Sequence, residues 1–382
     1  MRILISAGEA SGEMYGGQLI SALQQHDASL QFFGVGGERM RAAGCDTIID
    51  AKELAVVGIT EILSHLPKIY GLFHKLIAEA DKRRPDLAIV IDSPAFNWRV
   101  ARQMHHRGIP VVYYVCPQFW AWRQGRVRLL RKYITKALVI FPFEEKFYRG
   151  HGIDATFVGH PLADLPTPKI SRRDYATQHH LDPAKTWITL MPGSRAKEVR
   201  MNLPTMLEAA IKLGPTYEFL LPVAPTLSQS WLQDLIGSKR GIHLVSEALP
   251  ALAHSRAGII ASGTATVEAA IMGTPFVMVY RVSPLTYALG RPRVKVSHFA
   301  MVNLIAGEKI VPELVQQDFT ADKIIQALQQ ILPDGNARTQ MIEALATVKH
   351  ALHGPNPGGV HPSDLAAEII LHLLPEPPEK TT

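Results

Sequence analysis

Short, nearly continuous hydrophobic runs alternate along the chain with longer runs in which apolar residues recur at helical spacing. The short runs predict buried strands at residues 2–7, 31–35, 86–91, 111–115, 136–140, 187–191, 218–222, 242–245 and 276–280. The longer runs predict helices that include residues 38–43, 60–82, 197–213, 322–332, 337–352 and 363–373. Alternating strands and helices are typical of parallel sheets. The pattern therefore predicts an α/β protein with two doubly wound units in tandem.

The segment 257–281 contains a complete strand, turn, helix and second strand. Its turn, Ser262-Gly263-Thr264, consists of small residues that would let a diphosphate reach the amides at the start of the following helix. Glu268 lies about one turn into that helix, where a carboxylate can accept hydrogen bonds from two ribose hydroxyls. An acid at this position can equally serve to complement the helix dipole, so both interpretations of Glu268 stay open.

Two further turns follow predicted strands. Gly193-Ser194-Arg195 carries a guanidinium that can hold a phosphate bidentately, although a plain surface turn is the alternative. Asp92 follows the strand at 86–91 and so occupies the edge at which open α/β sheets bind ligands. The alternative for Asp92 is an Asx turn that bonds its own backbone ahead of Pro94.

The first predicted strand is followed by Gly8-Glu9-Ala10-Ser11-Gly12, another strand-to-helix turn. Its glycines do not match the dinucleotide fingerprint G-x-G-x-x-G, which disfavours a nicotinamide cofactor. The simplest structural interpretation is a tight turn with Ser11 as the helix N-cap. His160, between a glycine and a proline, is either a turn residue or a cleft residue.

Between about residues 161 and 185 the periodicity is lost and prolines accumulate, which indicates a linker. We therefore expect an N-terminal domain at 1–165 and a second domain at 166–350. Residues 351–382 should comprise a linker, a last helix that is free to pack elsewhere, and a disordered tail.

Composition narrows the class of protein. The 382 residues are 47% hydrophobic, which allows each domain a sizeable core. The N-terminus does not resemble a signal peptide, and no apolar run is long enough to span a membrane. Two cysteines, Cys45 and Cys116, form neither a disulfide framework nor a zinc motif, so we expect a reducing cytoplasm and no metal.

The net charge of +6 would suit nucleic acid, an anionic membrane or phosphorylated substrates. Two indoles stand directly before a cluster of arginines, an arrangement typical of a membrane interface. The residues are Trp120, Trp122, Arg123, Arg126, Arg128 and Arg131. The alternative is a solvated helix face below buried aromatic residues.

Seven motifs, in order through nearly the whole chain, resemble the lipid-A-disaccharide synthase family. They are Gly8-Glu-Ala-Ser-Gly12, Glu53-Leu-Ala-Val-Val-Gly58, Ile91-Asp-Ser-Pro94, Cys116-Pro-Gln-Phe-Trp-Ala-Trp-Arg123, Pro192-Gly-Ser-Arg195, Ser262-Gly-Thr264 and Asn303-Leu-Ile-Ala-Gly307. The first, fourth and fifth motifs are the most specific. The family is similar to the GT-B glycosyltransferases, so the resemblance implies two Rossmann-like domains facing across a cleft, with a C-terminal helix returning to the N-terminal domain.

The resemblance also implies the reaction. It is the transfer of 2,3-diacylglucosamine from its UDP ester to the 6-hydroxyl of 2,3-diacylglucosamine 1-phosphate, which forms a β(1→6) disaccharide with inversion and releases UDP. Asp92 would be the catalytic base, and no metal or other cofactor would be needed. UDP and the donor would be bound by Gly193, Ser194, Arg195, Ser262, Gly263, Thr264, Glu268, Arg281 and Asn303. The cleft and acceptor side would contain Gly8, Glu9, Ser11 and Gly12.

A peripheral location on the cytoplasmic face of a bacterial inner membrane follows from the acylated substrates, and a homo-oligomer is left open. This sequence departs from the family's usual residues at four positions, namely Glu13, Ala95, Cys116 and Val302. Ala95 stands where a second acid is usual, so that acid cannot be essential if this protein is active. Two alternatives remain: a non-hydrolysing UDP-N-acetylglucosamine 2-epimerase, and a non-catalytic basic protein that binds nucleic acid or membrane.

Overall fold

The computed structural model describes residues 1–54, 59–122, 124–354 and 359–375. The chain divides into two units, Met1–Pro161 with Leu352–Thr382, and Leu162–Ala351. Three expectations fall outside the described residues: most of the motif that ends at Gly58, the basic residue Arg123, and the tail beyond residue 375.

In the described part of the first unit, seven strands form one sheet in the order β3-β2-β1-β4-β5-β6-β7, with every neighbouring pair parallel. The strands are β1 (Arg2–Ala7), β2 (Gln31–Gly36), β3 (Cys45–Asp50), β4 (Leu87–Ile91), β5 (Val111–Tyr114), β6 (Lys136–Val139) and β7 (Ala155–Phe157). Between them run α1 (Ala10–His26), α2 (Glu38–Ala42), α3 (Ala51–Leu54), α4 (Ile59–Arg83), α5 (Pro94–His106), α6 (Val127–Tyr133) and α7 (Pro142–Gly150).

The core of this unit lies between the sheet and its helices. All five residues of β4 are completely buried, as expected for an interior parallel strand with helices on both faces. Leu76 of α4 and both Val100 and Met104 of α5 are also fully buried against the sheet. Each such side chain stabilises the fold by about 1.5–3 kcal/mol relative to exposure. The helix predicted at 60–82 therefore exists, and the described part of its apolar stripe serves the core.

The second unit repeats this architecture. Its described strands form a parallel sheet in the order β10-β9-β8-β11-β12-β13. They are β8 (Thr186–Met191), β9 (Tyr217–Pro222), β10 (Ile242–Val245), β11 (Ala257–Ala261), β12 (Phe276–Tyr280) and β13 (Glu313–Val315). The helices are α8 (Arg172–His179), α9 (Ala196–Leu213), α10 (Gln229–Ile236), α11 (Ala248–His254), α12 (Thr264–Met272), α13 (Pro284–Gly290), α14 (Met301–Ala306), α15 (Ala321–Ile331) and α16 (Asn336–Leu352).

The last helix, α17 (Pro362–Leu371), packs against α1 and so completes the first unit. Three of its apolar residues, Ala366, Ala367 and Ile370, are fully buried there. The predicted return of the C-terminal helix to the N-terminal domain is thereby confirmed, as are two Rossmann-like α/β units.

The linker predicted between residues 161 and 185 is wrong in part, because α8 lies inside it. The Ser171 hydroxyl accepts a hydrogen bond from the Asp174 amide and caps this helix, and Tyr175 is buried in the core of the second unit. Three strands were also not predicted, namely β3, β7 and β13. Each lies at a sheet edge, where a short or half-polar strand lacks the continuous apolar run that marks a central one.

His160 lies where the chain leaves the first unit. Its backbone N–H donates to the carbonyl of Leu352 at 2.7 Å, and its ring packs against Tyr15 and Phe141. The residue is 1% exposed, and this burial lowers the pKa of the imidazole to about 3. His160 is therefore a neutral core residue, which excludes the cleft position that the sequence left open.

This burial predicts a specific dependence of stability on pH. The folded-state pKa of His160 lies below the ordinary value of 6.5, so its contribution to stability is fully present above about pH 6.5 and is lost as the pH falls toward 3. The loss should reach several kcal/mol, at about 1.4 kcal/mol per pKa unit. His160→Gln does not titrate, so the difference between variant and wild-type melting temperatures should shift in favour of the variant between pH 6.5 and 4. Parallel curves over that range would contradict the assignment.

Candidate active site

The order of strands in the first sheet reverses between β1 and β4, which are neighbours although two strands separate them in sequence. Open α/β sheets bind ligands at the carboxyl ends of such a strand pair. The turn after β1 begins at Gly8, and Asp92 follows β4. A Cβ atom on Gly8 would lie 2.6 Å from the Ser93 hydroxyl oxygen, and one on Gly12 would lie 3.7 Å from the Ile91 carbonyl oxygen. The structure therefore brings these two predicted turns together.

Asp92 and Ser93 both have left-handed backbone conformations, each with φ of 46°. Consecutive non-glycine residues in this region are uncommon, and such strain persists only where the surroundings impose it. Here the carbonyl of Asp92 accepts hydrogen bonds from the Asn97 side chain at 3.0 Å and from the Tyr113 hydroxyl at 2.7 Å. Asp92 itself is half-buried. Its carboxylate is thus presented from a backbone that the fold holds in place.

Asn97 connects the two strands of this site and had no role in the sequence interpretation. Its side-chain amide donates to the carbonyls of Ser6 and Ile91, and its side-chain oxygen accepts from the Ser6 hydroxyl at 2.7 Å. Asn97 is completely buried. A buried amide needs such partners, and here they are the ends of β1 and β4.

The helix after β1 begins differently from the prediction. Glu9, not Ser11, is the N-cap of α1, and its side chain makes no capping hydrogen bond. Glu9 is exposed, Ser11 is half-buried and Gly12 is buried against β4. Of the proposed acceptor residues, Glu9 is therefore the one that presents a charge to solvent near the Asp92 turn.

Trp120 was predicted at a membrane surface, but the structure places it in the core. It is 6% exposed, and its indole N–H donates to the carboxylate of Glu144 at 2.8 Å. Glu144 also accepts from the backbone amides of Ile140 and Phe141, and its burial, opposed by these bonds, raises its pKa to about 7. Trp120 therefore cannot contact a membrane in this conformation.

The rest of the predicted interface is accessible where it is described. Trp122 is 44% exposed. Arg126, Arg128 and Arg131 are exposed, and α6 buries its apolar residues on the opposite side. The basic face and one indole thus remain available.

The second sheet reverses between β8 and β11, and both predicted phosphate turns follow these neighbouring strands. Gly193-Ser194-Arg195 leads into α9, and Ser262-Gly263-Thr264 leads into α12. The two turns therefore share the carboxyl edge of one strand pair, the position at which this kind of sheet binds ligands.

The first of these turns encloses the carboxylate of Glu198. Glu198 Oε2 accepts from the amides of Ser194 at 3.2 Å and Arg195 at 3.4 Å, and Oε1 contacts the Arg195 guanidinium at 3.1 Å. Gly193 has φ of 122°, and a Cβ atom there would lie 2.5 Å from Glu198 Oε2. The turn thus already binds an anion, and that anion is a side chain of its own helix.

The second turn is open. Gly263, at the N-cap of α12, has φ of 142°, and a Cβ atom there would meet nothing within 4 Å. Gly263 and Thr264 are exposed, and Glu268 is half-buried with its pKa raised by burial. This arrangement leaves room for a phosphate at the helix start.

Arg281 and Asn303 are engaged within the protein. The Arg281 guanidinium donates to the Thr205 hydroxyl at 2.8 Å and to the Phe319 carbonyl, and it lies 4.5 Å from the Phe319 ring centroid. Asn303 is completely buried. Its side chain donates to the Val311 carbonyl and to Glu313, and it accepts two backbone amides. Contact of the Asn303 side chain with a UDP-sugar would require breaking these hydrogen bonds, and the predicted role of Asn303 in binding the UDP-sugar stays a prediction.

Among the described residues, no group of three or more His, Cys, Asp or Glu side chains is placed to hold a metal ion. Cys45 and Cys116 are buried thiols. No helix in the described ranges is long and apolar enough to cross a bilayer.

Solved structures with the same fold define the class. A glycotransferase of kitacinnamycin is 15% identical with a TM-score of 0.65, and the match covers 98% of this chain and 99% of that one. UDP-GlcNAc 2-epimerase from Neisseria meningitidis bound to UDP-GlcNAc has 16% identity, the same TM-score and the same coverage. The two parallel-sheet units and these likenesses place the chain in the GT-B fold class.

Sequence comparison is more specific than the fold. The family model for lipid-A-disaccharide synthetase matches residues 3–354. The lipid-A-disaccharide synthase of Koribacter versatilis is 54% identical over 356 residues, which cover 92% of this chain and 93% of the relative. That of Acidobacterium capsulatum is 50% identical over 373 residues, which cover 94% and 93%. The chain belongs to the lipid-A-disaccharide synthase family and is a glycosyltransferase of lipid A biosynthesis.

The different surroundings of Gly193 and Gly263 predict different losses of stability when each is changed to alanine. Gly193→Ala and Gly263→Ala both force alanine into a backbone conformation that favours glycine, at a cost of about 1–3 kcal/mol. Only Gly193→Ala also overlaps Glu198, which should add roughly 1–3 kcal/mol. Denaturant unfolding should therefore show a larger loss of stability for Gly193→Ala. Equal losses would mean that Glu198 moves aside without cost.

Proposed function

We propose that the protein transfers 2,3-diacylglucosamine from its UDP ester to the 6-hydroxyl of 2,3-diacylglucosamine 1-phosphate, with inversion and release of UDP. Family membership supports lipid A disaccharide formation. The observation that carries the finer proposal is the position of the predicted groups. Asp92 follows a strand at the reversal point of one sheet, and both phosphate turns follow the strands at the reversal point of the other.

The second unit would bind the donor. Arg195 can pair with a diphosphate oxygen, and the amides around Gly263 and Thr264 can donate to the same group. Glu268 would accept hydrogen bonds from the ribose hydroxyls. Arg281 and Asn303 would act by holding the surrounding backbone, since their side chains are already engaged. In this proposal the domain at residues 1–165 contacts the acceptor and the membrane, and the domain at residues 166–350 binds the donor. Residues 351–382 provide the linker, the returning helix and the tail.

Inversion requires one in-line displacement. The acceptor 6-hydroxyl oxygen attacks the anomeric carbon of the donor sugar, and its proton passes to the carboxylate of Asp92. The bond from the anomeric carbon to the diphosphate oxygen breaks, and its electron pair leaves with UDP. Negative charge grows on the diphosphate as this bond lengthens, so Arg195 contributes more to the transition state than to the ground state. The chain's own cation and amides would supply the stabilisation that this step needs.

Asp92→Asn tests the base. Asparagine tolerates the left-handed conformation of this position, so the fold should be retained. Loss of a general base should lower kcat by roughly 10²- to 10⁴-fold. UDP affinity, measured by calorimetry, should be nearly unchanged because the proposed nucleotide site is in the other unit. Near-normal turnover by a folded variant would mean that Asp92 is not the base, and would favour the Asx-turn interpretation.

Arg195→Ala is the complementary variant in the same assays. It should weaken UDP binding and also lower kcat, and Arg195→Lys should restore only part of both losses because an ammonium cannot form the planar bidentate contact. UDP affinity equal to wild type would identify a plain surface turn. Turnover of UDP-N-acetylglucosamine without any lipid acceptor would instead favour a 2-epimerase.

Acylated substrates also imply that the enzyme works at a membrane surface. Transfer of acyl chains out of a bilayer costs about 0.8 kcal/mol per methylene, so the enzyme must approach the bilayer. We assign this contact to the exposed Arg128 and Arg131 on α6 and to the exposed Trp122 and Arg126 in the segment just before this helix. Each such cation near an anionic surface adds on the order of 1 kcal/mol, and salt screens it.

Vesicle sedimentation tests this surface. Binding should require anionic lipid, weaken with salt, and fall when Arg126, Arg128 and Arg131 are changed to glutamate. The matched control reverses three exposed charges elsewhere, Arg39, Arg173 and Arg240, with the same change in net charge. If both triple variants lose vesicle binding equally, the binding depends on the net charge of the protein and not on this surface. Equal binding of wild type to neutral and anionic vesicles at low salt would exclude the electrostatic contribution.

A further inference from the structure

The carboxylate of Glu313 holds the long connection between β12 and β13. Glu313 is on the edge strand β13, and its side chain is 11% exposed. Its two oxygens accept from the Phe299 amide at 2.9 and 3.0 Å, and one of them accepts from the Ala300 amide at 2.9 Å. Hydrogen bonds to an ionised acceptor are roughly twice as strong as neutral ones. One side chain thus fixes the backbone just before α14.

Asn303 belongs to the same network. Its side-chain amide donates to Glu313 at 2.8 Å and to the Val311 carbonyl at 3.0 Å, while its oxygen accepts from the amides of Ile310 and Val311. The family motif that begins at Asn303 therefore reinforces the contacts of Glu313. Neither side chain needs to contact a ligand to matter for binding.

The network continues to the open phosphate turn through Phe299. The Ser262 hydroxyl donates to the Phe299 carbonyl at 2.8 Å, and the Phe299 ring stacks on Tyr280 at the end of β12. The N–H and the carbonyl of Phe299 thus connect Glu313 to Ser262. Ser262, the first residue of the turn, is therefore held by two bonds: its hydroxyl donates to the Phe299 carbonyl, and its amide donates to the Val279 carbonyl at 2.9 Å.

We propose that Glu313 is a positioning residue for the donor site, acting through Phe299 and Ser262 to fix the turn that binds the diphosphate. Glu313 does not touch the donor in this role. The inference rests on the proposed function, because it takes the Ser262 turn as the diphosphate site. Glutamine is a poor replacement for Glu313. Its oxygen can take the place of Oε1, but its NH2 group then occupies the place of Oε2, 3.0 Å from the Phe299 nitrogen, where a donor faces a donor. The bonds from the Phe299 and Ala300 amides also become bonds to a neutral acceptor, which are weaker.

A double-mutant cycle tests the connection. Wild type, Glu313→Gln, Ser262→Ala and the double variant are compared for UDP affinity by calorimetry at one ionic strength. Each single change should weaken UDP binding roughly 10-fold, which corresponds to about 1.4 kcal/mol. This is about the size expected for losing one hydrogen bond in the path from Glu313 to Ser262. The double variant should lose no more than a single one, because both act through the same path. The donor KM should rise by the same factor, with kcat changing less than about 3-fold.

Asp318→Asn is the matched control. It removes the same charge from the following segment, where Asp318 is 62% exposed and pairs with Lys323. UDP affinity should stay at the wild-type value. If Glu313→Gln does not fold, Glu313→Asp takes its place in the cycle, because it keeps the charge but shortens its reach by one methylene.

Additive losses in the double variant, or unchanged UDP affinity in a Glu313 variant with a lower melting temperature, would overturn the inference and leave the donor site standing. Failure of the wild-type protein to bind UDP would instead overturn the proposed donor site itself. The two failures are thus distinguished by the wild-type titration.

Discussion

The reversal of strand order between β1 and β4, and again between β8 and β11, is the constraint on which the candidate site depends. Crossover connections in a parallel sheet are right-handed, so helices that follow strands on the two sides of such a point cover opposite faces of the sheet. The loops at the carboxyl ends of the central pair then diverge and leave a crevice between them. In the first sheet, the turn that begins at Gly8 and the residue Asp92 both lie at this crevice. In the second sheet, the turns at Gly193 and Ser262 lie at the corresponding crevice.

Buried polar side chains hold these loops in place. Asn97 bonds both central strand ends of the first sheet. In the second unit Glu313 accepts from the backbone amides of Phe299 and Ala300, and Asn303 bonds Glu313. A buried amide or carboxylate without partners would cost several kcal/mol, so each of these groups restricts the surrounding backbone to the conformation that satisfies it. The left-handed pair at Asp92 shows the result, because its carbonyl accepts two hydrogen bonds that a regular continuation of β4 would not provide. Local strain at Asp92 is thus balanced by the interior network.

The sequence predicted the central strands, most helices and the turns at Asp92, Gly193 and Ser262, because these depend on local signals. Continuous apolar runs mark interior strands, and small residues mark turns that lead into helices. The edge strands β3, β7 and β13 lack such runs and were missed. The roles of Asn97 and Glu313 depend on partners brought together by the fold; Asn97 bonds Ser6 across 91 residues. The burial of Trp120 was missed for the same reason, since its partner Glu144 follows a different strand.

The two phosphate turns of the second unit differ in what a diphosphate would meet. At the Gly263 turn it would find open space and helix amides, whereas at the Gly193 turn it would find the carboxylate of Glu198. The amide contacts of Glu198, at 3.2 and 3.4 Å, are longer than the usual 2.9–3.0 Å, and its side chain is 38% exposed. Exposed ion pairs of this kind contribute at most about 1 kcal/mol. A ligand with two phosphate charges can therefore displace Glu198 at small cost. In the structure these contacts form a capping box, in which Glu198 at the third position of α9 accepts from the backbone amide of the N-cap residue Arg195 and closes the first turn of the helix.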